Sequence, residues 1–490
     1  MRSWIAIHLP QLPLETIRPR WSEPGPHVVV GREGVIAMSA EAALSGVSIG
    51  MRRNGALIMC PDAAMHEHDP LREQDALNSI ALALLQYTPE VAFATESCLL
   101  LDVTASLRAF GGRLRLCRLV RAAIHALGFT PQVGMAPTAQ GAWMLARFPQ
   151  QKHRSVLRRV ARMENLVRRL DNLPCLLLPA LRPYQGWLEG IDCRTFGKLR
   201  GLSRSGLQRR LGKEVLGALD RAYGKSPELF EWVQPPKTFS ARIELPDRIE
   251  HAEALLFAAR RLLLQMTGWL VSRQLAVSRF TLLLEHERGR SAIAPTALEI
   301  ALAEPAWREE HLLRLLKERL GRLALIAPVI AVRIDTAQAE AMQPSSDSLF
   351  PEPGGSAADY RKLLELLTAR LGHDKVLVPA PRADHRPEVS NAWSPAACAP
   401  RLSSANGLPP ERPCWILDEP VQLSVRQNRV FYGSPLKLLR GPERIECGWW
   451  DGRLAMRDYF VAQDDASVCY WIFRTRSEDD MQWFLHGRYG

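Results

Sequence analysis

The sequence predicts an α/β multi-domain chain that closes with a small β-rich module. Three observations carry this. The first 150 residues alternate short apolar β-type runs with helical periodicity. Residues 236–336 read strand, helix, strand, strand, helix, strand. From residue 414 the chain returns to β character, dense in Trp and Tyr, after a break rich in Pro, Ser and Gly. A length of 490 residues exceeds what one hydrophobic core holds, and 47% apolar content is that of a folded protein.

In residues 1–150 the β-type runs are Trp4–Ile7, Val28–Val30, Val35–Ala37 and Cys98–Val103, with helical periodicity over Leu71–Gln86 and Leu114–Leu127. Residues 151–235 are helical and basic. Between 151 and 213 stand 15 Lys and Arg against four Asp and Glu, so this stretch carries the whole net charge of +11. So concentrated a field is expected of a surface for a polyanion, most simply nucleic acid; the alternative is a solvated, Arg-rich helical face. In 236–336 the strands are Phe239–Leu245, Ala276–Glu285, Ala297–Leu302 and Val329–Ile334, and the helices Ala252–Thr267 and Trp307–Leu320. Mixed charges there predict modest DNA affinity. Residues 337–413 have linker composition interrupted by a helix over Ala357–Leu371, and the Pro-rich stretch from Val378 to Pro413 is expected to be extended and mobile. Residues 414–490 form the aromatic-rich module, whose rings either meet a partner or fill a small core.

Several classes are excluded. No run of 18 apolar residues occurs, so no membrane span is expected, and the opening MRSWIAIHLPQLP reads as a first strand rather than a secretion signal. Nine scattered cysteines without a C-x-x-C speak against a disulfide framework or structural zinc, and fit a reducing cytoplasm. His66 and His68 lack a second ligand pair and read as a solvated loop. No metal or cofactor is expected.

The segment FATESCLLLDVTASLRAFGG (93–112) carries the chemistry by what it lacks. It resembles the palm strand of Y-family (lesion-bypass) DNA polymerases, which in active members reads S-[IL]-D-E-A-Y-L-D-V-T. Anchored on Leu101-Asp102-Val103-Thr104, the resemblance sets Ser97 and Cys98 where an Asp-Glu pair belongs. The opening strand resembles h-h-D-M-D-x-F-F, with His8 in place of the first metal-binding Asp. Two-metal phosphoryl transfer needs carboxylates that hold two Mg²⁺ about 3.5–4 Å apart, and serine, cysteine and histidine are poor ligands for so hard a cation. The family's N-Y-E-A-R triphosphate grip stands here as Ser39-Ala40-Glu41-Ala42-Ala43, and its phosphate-touching lysine as Ala139. Carboxylates and phosphate clamps are missing together, which implies a retained polymerase-like palm and fingers without catalysis.

The resemblance extends along the chain. WLEGIDCRTFGKLRGLSRSG resembles a helix-hairpin-helix in a helical thumb. Leu188-Glu189-Gly190-Ile191-Asp192 would form its hairpin, with Gly190 permitting the turn, and backbone amides with Arg194, Thr195 and Lys198 would hold a DNA phosphate without reading sequence. Residues 236–336 resemble the βαββαβ little finger. Ser346-Asp347-Ser348-Leu349-Phe350 resembles the bacterial sliding-clamp pentapeptide Q-L-[SD]-L-F, in which Leu and Phe fill apolar pockets; Ser346 in place of Gln predicts weaker binding. The tail segments 412–418, 441–452, 457–459 and 483–487 are similar to those of the ImuB-like family, non-catalytic Y-family homologues of the bacterial mutasome. That resemblance implies an adaptor in SOS-induced, error-prone translesion synthesis, cytoplasmic and nucleoid-associated. Its implied partners are DNA, the sliding clamp, an error-prone C-family polymerase and an ImuA-type RecA-like accessory protein. Two alternatives stand beside it: an active translesion polymerase whose metal site is rearranged around Glu96 and Asp102, and a clamp-independent damaged-DNA-binding protein.

Overall fold

The computed structural model describes residues 2–19, 24–148, 158–287, 293–342, 357–396, 412–476 and 481–490. The chain divides into two compact units, residues 1–366 and 367–490.

The first unit opens with β1 (Trp4–His8), α1 (Leu12–Glu15), β2 (His27–Val30), β3 (Val35–Met38), α2 (Ala40–Leu44), α3 (Arg53–Met59), β4 (Ala64–Glu67), α4 (Pro70–Leu84), β5 (Val91–Ala94), β6 (Cys98–Asp102), α5 (Arg113–Ala126), β7 (Gln132–Ala136) and α6 (Ala139–Arg147). Four strands make an antiparallel palm sheet in the order β5-β6-β1-β7, and β3-β2-β4 make a small separate sheet. Both faces of the palm sheet are covered, which explains why β1 and β6 read as continuous apolar runs rather than alternating ones. Ile5, Ile7, Leu99 and Leu101 pack under α4 and α5, while Trp4, Ala6, Cys98 and Leu100 pack under α6 and the thumb. Gly134 permits the close approach of β7 to α6, since a Cβ there would stand 2.4 Å from the Ala142 carbonyl oxygen.

The thumb follows as α7 (Met163–Asp171), α8 (Gln185–Gly190), α9 (Phe196–Arg200) and α10 (Arg204–Ala222), the last kinked at Gly212 with φ 82°. The connector beyond it is fastened to the palm. Trp232 stacks on Trp4 at 6.2 Å, and the Val233 N–H donates to the Val91 carbonyl at 2.8 Å.

The little-finger region is β8 (Ser240–Ile249), α11 (Leu255–Ser272), β9 (Leu275–His286), β10 (Thr296–Ala306), α12 (Glu309–Leu320) and β11 (Val329–Ala341), the βαββαβ order the sequence indicates. Its antiparallel sheet runs β10-β9-β11-β8. β11 continues past Ile334, where the sequence reading ended it, because the long β9 supplies partners as far as Leu275, opposite Ala341. Residues 252–272 are long and apolar enough on average to cross a membrane, yet the stretch contains Glu253, Arg260 and Arg261 and most of it is buried, as in a core helix. On the open face of the sheet the arginines are paired: Arg242 with Glu285 at 2.9 Å, Arg279 with Glu299 at 2.6 Å and Arg333 with Asp335 at 2.9 Å. α13 (Ala357–Leu371) forms where its periodicity places it.

In the second unit, β12 (Leu377–Pro381) and β13 (Asn391–Pro395) pair as a hairpin closed by α14 (Pro387–Ser390). This corrects the expectation of an extended, mobile stretch over Val378–Pro413, of which residues 397–411 lie outside the described residues. The cause is Arg386, with a side chain 4% exposed, which forks onto Asp384 at 2.8 Å and Asp451 at 2.7 Å and ties the hairpin to the module. The module is β14 (Trp415–Arg426), β15 (Arg429–Tyr432), β16 (Ser434–Pro435), β17 (Lys437–Cys447), β18 (Ala455–Gln463), β19 (Cys469–Thr475) and β20 (Trp483–Arg488), in one sheet ordered β16-β15-β14-β20-β19-β18-β17. Its aromatics divide. Tyr459 and Trp471 stack at 4.1 Å in the core, whereas Trp415, Trp449 and Trp450 stay exposed. Asp458, fully buried, is neutralised by Arg444 at 3.0 Å and Arg474 at 3.2 Å.

One position tests the joint between palm and little finger. A Cβ on Gly268 of α11 would stand 1.9 Å from the Leu82 carbonyl oxygen of α4. Gly268→Val is expected to destabilise the first unit by about 1–3 kcal/mol through overpacking, read as a lower urea midpoint. An unchanged midpoint would contradict this close packing.

Candidate functional site: the palm centre and the thumb hairpin

The palm centre is built at the ends of β1 and β6. Period-two alternation puts His8 on the same face as Trp4 and Ala6, and the register pairs it with Cys98. The turn before β6 holds Glu96 and Ser97 at φ 63° and 50°, a conformation non-glycine residues seldom adopt. Ser97 therefore lies in the turn and not in the strand, where the sequence reading set it. Several bonds hold the turn: Trp143 Nε1 donates to the Thr95 carbonyl at 3.1 Å, and the Leu9 N–H to that of Ser97 at 3.1 Å. The Glu96 carbonyl lies 3.1 Å from His8 Nδ1 and 3.2 Å from Cys98 Sγ, and accepts from both when the imidazole proton sits on Nδ1.

The Glu96 carboxylate lies between two guanidiniums, Arg147 at 2.8 Å and Arg182 at 3.0 Å. Arg147 is further held by the Leu177 carbonyl at 2.6 Å and lies 4.4 Å from the Trp143 ring. Burial, then the Arg147 charge, pushes the His8 imidazole down to about 4. Burial pushes the Cys98 thiol up to about 12. Burial also opposes ionisation of Glu96, but the Arg182 hydrogen bond and the charges of Arg147 and Arg182 outweigh it and hold the carboxyl below its usual range. A divalent cation would meet a neutral imidazole, a protonated thiol and one carboxylate already neutralised by two cations. Metal ligation needs a thiolate, and Mg²⁺ needs free oxygen anions.

Asp102 does not complete such a site. It stands at the far end of β6, about 13 Å along the strand from Cys98. There Oδ1 accepts from the Thr104 N–H at 3.0 Å and from the Thr104 hydroxyl, capping the strand end. Glu96 and Asp102 cannot bracket one metal pair. Among the described residues no cluster of three or more His, Cys, Asp or Glu could hold a metal ion.

The two segments expected to correspond to phosphate grips have structural contacts. Ser39 caps α2, its Oγ accepting from the Ala42 N–H at 3.3 Å, while Ala40 and Ala43 present only methyl groups on the exposed side. At the N-terminus of α6, the amides of Ala139 and Gln140 donate to the Glu228 carboxylate at 2.9 and 2.7 Å. The positive helix end thus receives an anion from the chain itself. Burial raises the Glu228 carboxyl, against those two hydrogen bonds.

The thumb hairpin differs from its expected form. Gly190 is the last residue of α8, has ordinary helical geometry and open space around it; the left-handed residue is Asp192, with φ 51°. Asp192 also engages the hairpin's cations, lying 2.6 Å from Lys198 Nζ and 3.5 Å from Arg194 Nε. Thr195 caps α9, with its hydroxyl 3.4 Å from the Lys198 amide, and Ile191 is 43% exposed. A phosphate would have to displace Asp192, though exposed pairs of this kind are weak. Residues 346–350 lie outside the described residues. Sequence reasoning missed Arg147, Arg182 and Glu228, which come from three separate segments and match no motif.

Two expectations follow from the palm centre. A His8 pKa of about 4 in the fold, against 6.5 unfolded, means that only the unfolded chain takes up the proton between those values. Stability from this group is full above pH 6.5 and falls as the pH drops toward about 4. Urea midpoints of wild type and His8→Gln should diverge over that window by about 1–3 kcal/mol; the comparison cancels His486, which is also lowered to about 4. Glu96→Ala leaves Arg147 without its nearest counter-charge and is expected to cost about 1–3 kcal/mol in the same assay, less than a fully buried pair because Glu96 is partly exposed.

A family model described as the impB/mucB/samB family (IMS) matches residues 15–147. Protein ImuB of Caulobacter vibrioides strain NA1000 / CB15N is 24% identical over 477 residues, covering 91% of this chain and 100% of that relative, and ImuB of strain ATCC 19089 matches equally. Among solved structures, the insertion ternary complex of Dbh DNA polymerase is 18% identical, with 68% of this chain and 98% of that one covered at a TM-score of 0.40. A post-insertion binary complex of the same polymerase gives 17%, 68%, 98% and 0.39. Structural likeness at that level is loose, and the assignment rests on the sequences: the chain is an ImuB-like homologue of the Y-family DNA polymerases.

Proposed function

We propose that this chain is a catalytically inactive adaptor in damage-induced, error-prone DNA synthesis. It would hold the sliding clamp through Ser346–Phe350 and DNA through basic surfaces of its first unit. The C-terminal module would hold an error-prone C-family polymerase and an ImuA-type accessory protein. The observation that carries the inactivity is the ion cluster Arg147–Glu96–Arg182 beside His8 and Cys98, where a polymerase of this family needs free carboxylates. The exposed Trp415, Trp449 and Trp450 support partner binding, since tryptophan anchors protein interfaces well beyond its frequency on ordinary surfaces. Weak links acting together on one tether gain by a factor on the order of 10²–10⁴ when all can form at once.

Two experiments test this reading. Primer extension by the purified chain with Mg²⁺ or Mn²⁺ should give no product; robust extension that Glu96→Ala abolishes would refute inactivity. Leu349→Ala with Phe350→Ala should abolish clamp binding and damage-induced mutagenesis while DNA affinity stays within about two-fold of wild type. Mutagenesis that survives the double change would favour the clamp-independent DNA-binding alternative.

A further inference from the structure

We propose that the exposed face of α5 is a second binding surface for the DNA backbone, on the opposite side of the palm sheet from α6 and the thumb hairpin. The proposal rests on DNA being a partner of this chain, and extends it to a site centred on α5, to which the basic stretch at 151–213 lends only Arg159. The sequence of α5, RLRLCRLVRAAIHA, contains no acidic residue. Its apolar positions Leu116, Cys117, Val120, Ala123 and Ile124 are buried against the palm sheet and α4. Arg115, Arg118 and Arg121 are left on the solvent side, all exposed. Residues three apart on a helix are neighbours, so these cations repel one another at a cost the helix itself does not offset.

A fourth arginine joins from another segment. Residue 159 pairs with Met135 as a short parallel bridge at the edge of the palm sheet, and the Met135 sulfur touches Cys117 of α5 at 4.0 Å. Bridge partners share a sheet face, so Arg159 stands on the α5 side. The charges of Arg159 and Arg121 both reach the buried Cys117 thiol, although burial dominates and raises it.

Several exposed arginines elsewhere in the unit meet carboxylates: Arg242, Arg279 and Arg333 on the little-finger sheet, Arg200 with Asp171 at 2.8 Å, and Arg204 with Asp220 in the thumb. Among the described residues Arg115, Arg118, Arg121 and Arg159 have no such partner. Arg115 to Arg121 spans a rise of about 9 Å, the axial length of two to three successive phosphates on one strand. Three guanidiniums along one helix face and a fourth on the same side of the sheet, without a carboxylate partner among the described residues, suit a phosphodiester backbone read without sequence.

The test is a salt titration of DNA binding with the full chain, on a random-sequence duplex and on single-stranded poly-dT. Arg115→Ala, Arg118→Ala and Arg121→Ala combined should weaken binding about 10- to 100-fold. The slope of log K against log salt should flatten by about two to three units. The corresponding triple Lys variant should keep most of both, and circular dichroism should report an intact fold for each. Arg194→Ala with Lys198→Ala serves as the thumb comparison and should change the slope by less. A triple Ala variant that binds DNA like wild type, with the same slope, would overturn the proposal and leave the patch to an acidic protein surface. Failure of the unaltered chain to bind DNA would overturn both this proposal and the DNA partnership on which it rests.

Discussion

A carboxylate clasped by two guanidiniums governs the centre of the palm. Glu96 is drawn out of the β5–β6 turn toward Arg147 and Arg182, and that pull helps to hold two consecutive non-glycine residues in left-handed geometry. The same turn presents the backbone carbonyl on which His8 and Cys98 converge. A palm that assembles two Mg²⁺ must gather negative charge at this place; here, among the described residues, the Glu96 carboxylate beside His8 and Cys98 is already compensated by Arg147 and Arg182. Removing catalytic acids from a buried centre would otherwise leave a void or an unpaired cation. The ion cluster instead fills it with groups that satisfy one another.

The anion that a polymerase would bind at the start of α6 is replaced in the same spirit. Helix ends need a partner for their free amides. Glu228 provides it, and together with Phe230 and Trp232 against Trp4 it fastens the connector that leads to the little finger. Gly268 packed on Leu82 then brings α11 against α4. The first unit thus has a firmly joined palm and little finger.

The second unit follows a different logic. Its buried charges, Asp458 among Arg444 and Arg474, and Arg386 between Asp384 and Asp451, are costly unless fully paired, and each is. Such clusters hold the small sheet and its hairpin in one arrangement while Trp449 and Trp450 stay outside the core. A rigid frame under exposed aromatics lowers the ordering cost of docking.

By itself the sequence determined the order of elements, because apolar periodicity is local: the βαββαβ run, the helix over 357–371 and the palm strands could all be read from spacing. It also determined that His8, Ser97 and Cys98 supply no carboxylate, which is a matter of letters. Tertiary structure alone decided what surrounds them. Arg182 lies 86 residues from Glu96, and Glu228 lies 89 residues from Ala139, so no window of sequence contains either pair. It decided, too, where free charge resides. Composition located the basic excess at 151–213, but only pairing in space could reveal that Asp192 occupies the hairpin cations while Arg115, Arg118 and Arg121 of α5 meet no carboxylate among the described residues. Charge counts along a chain are additive; electrostatic compensation depends on distance, and distance is set by the fold.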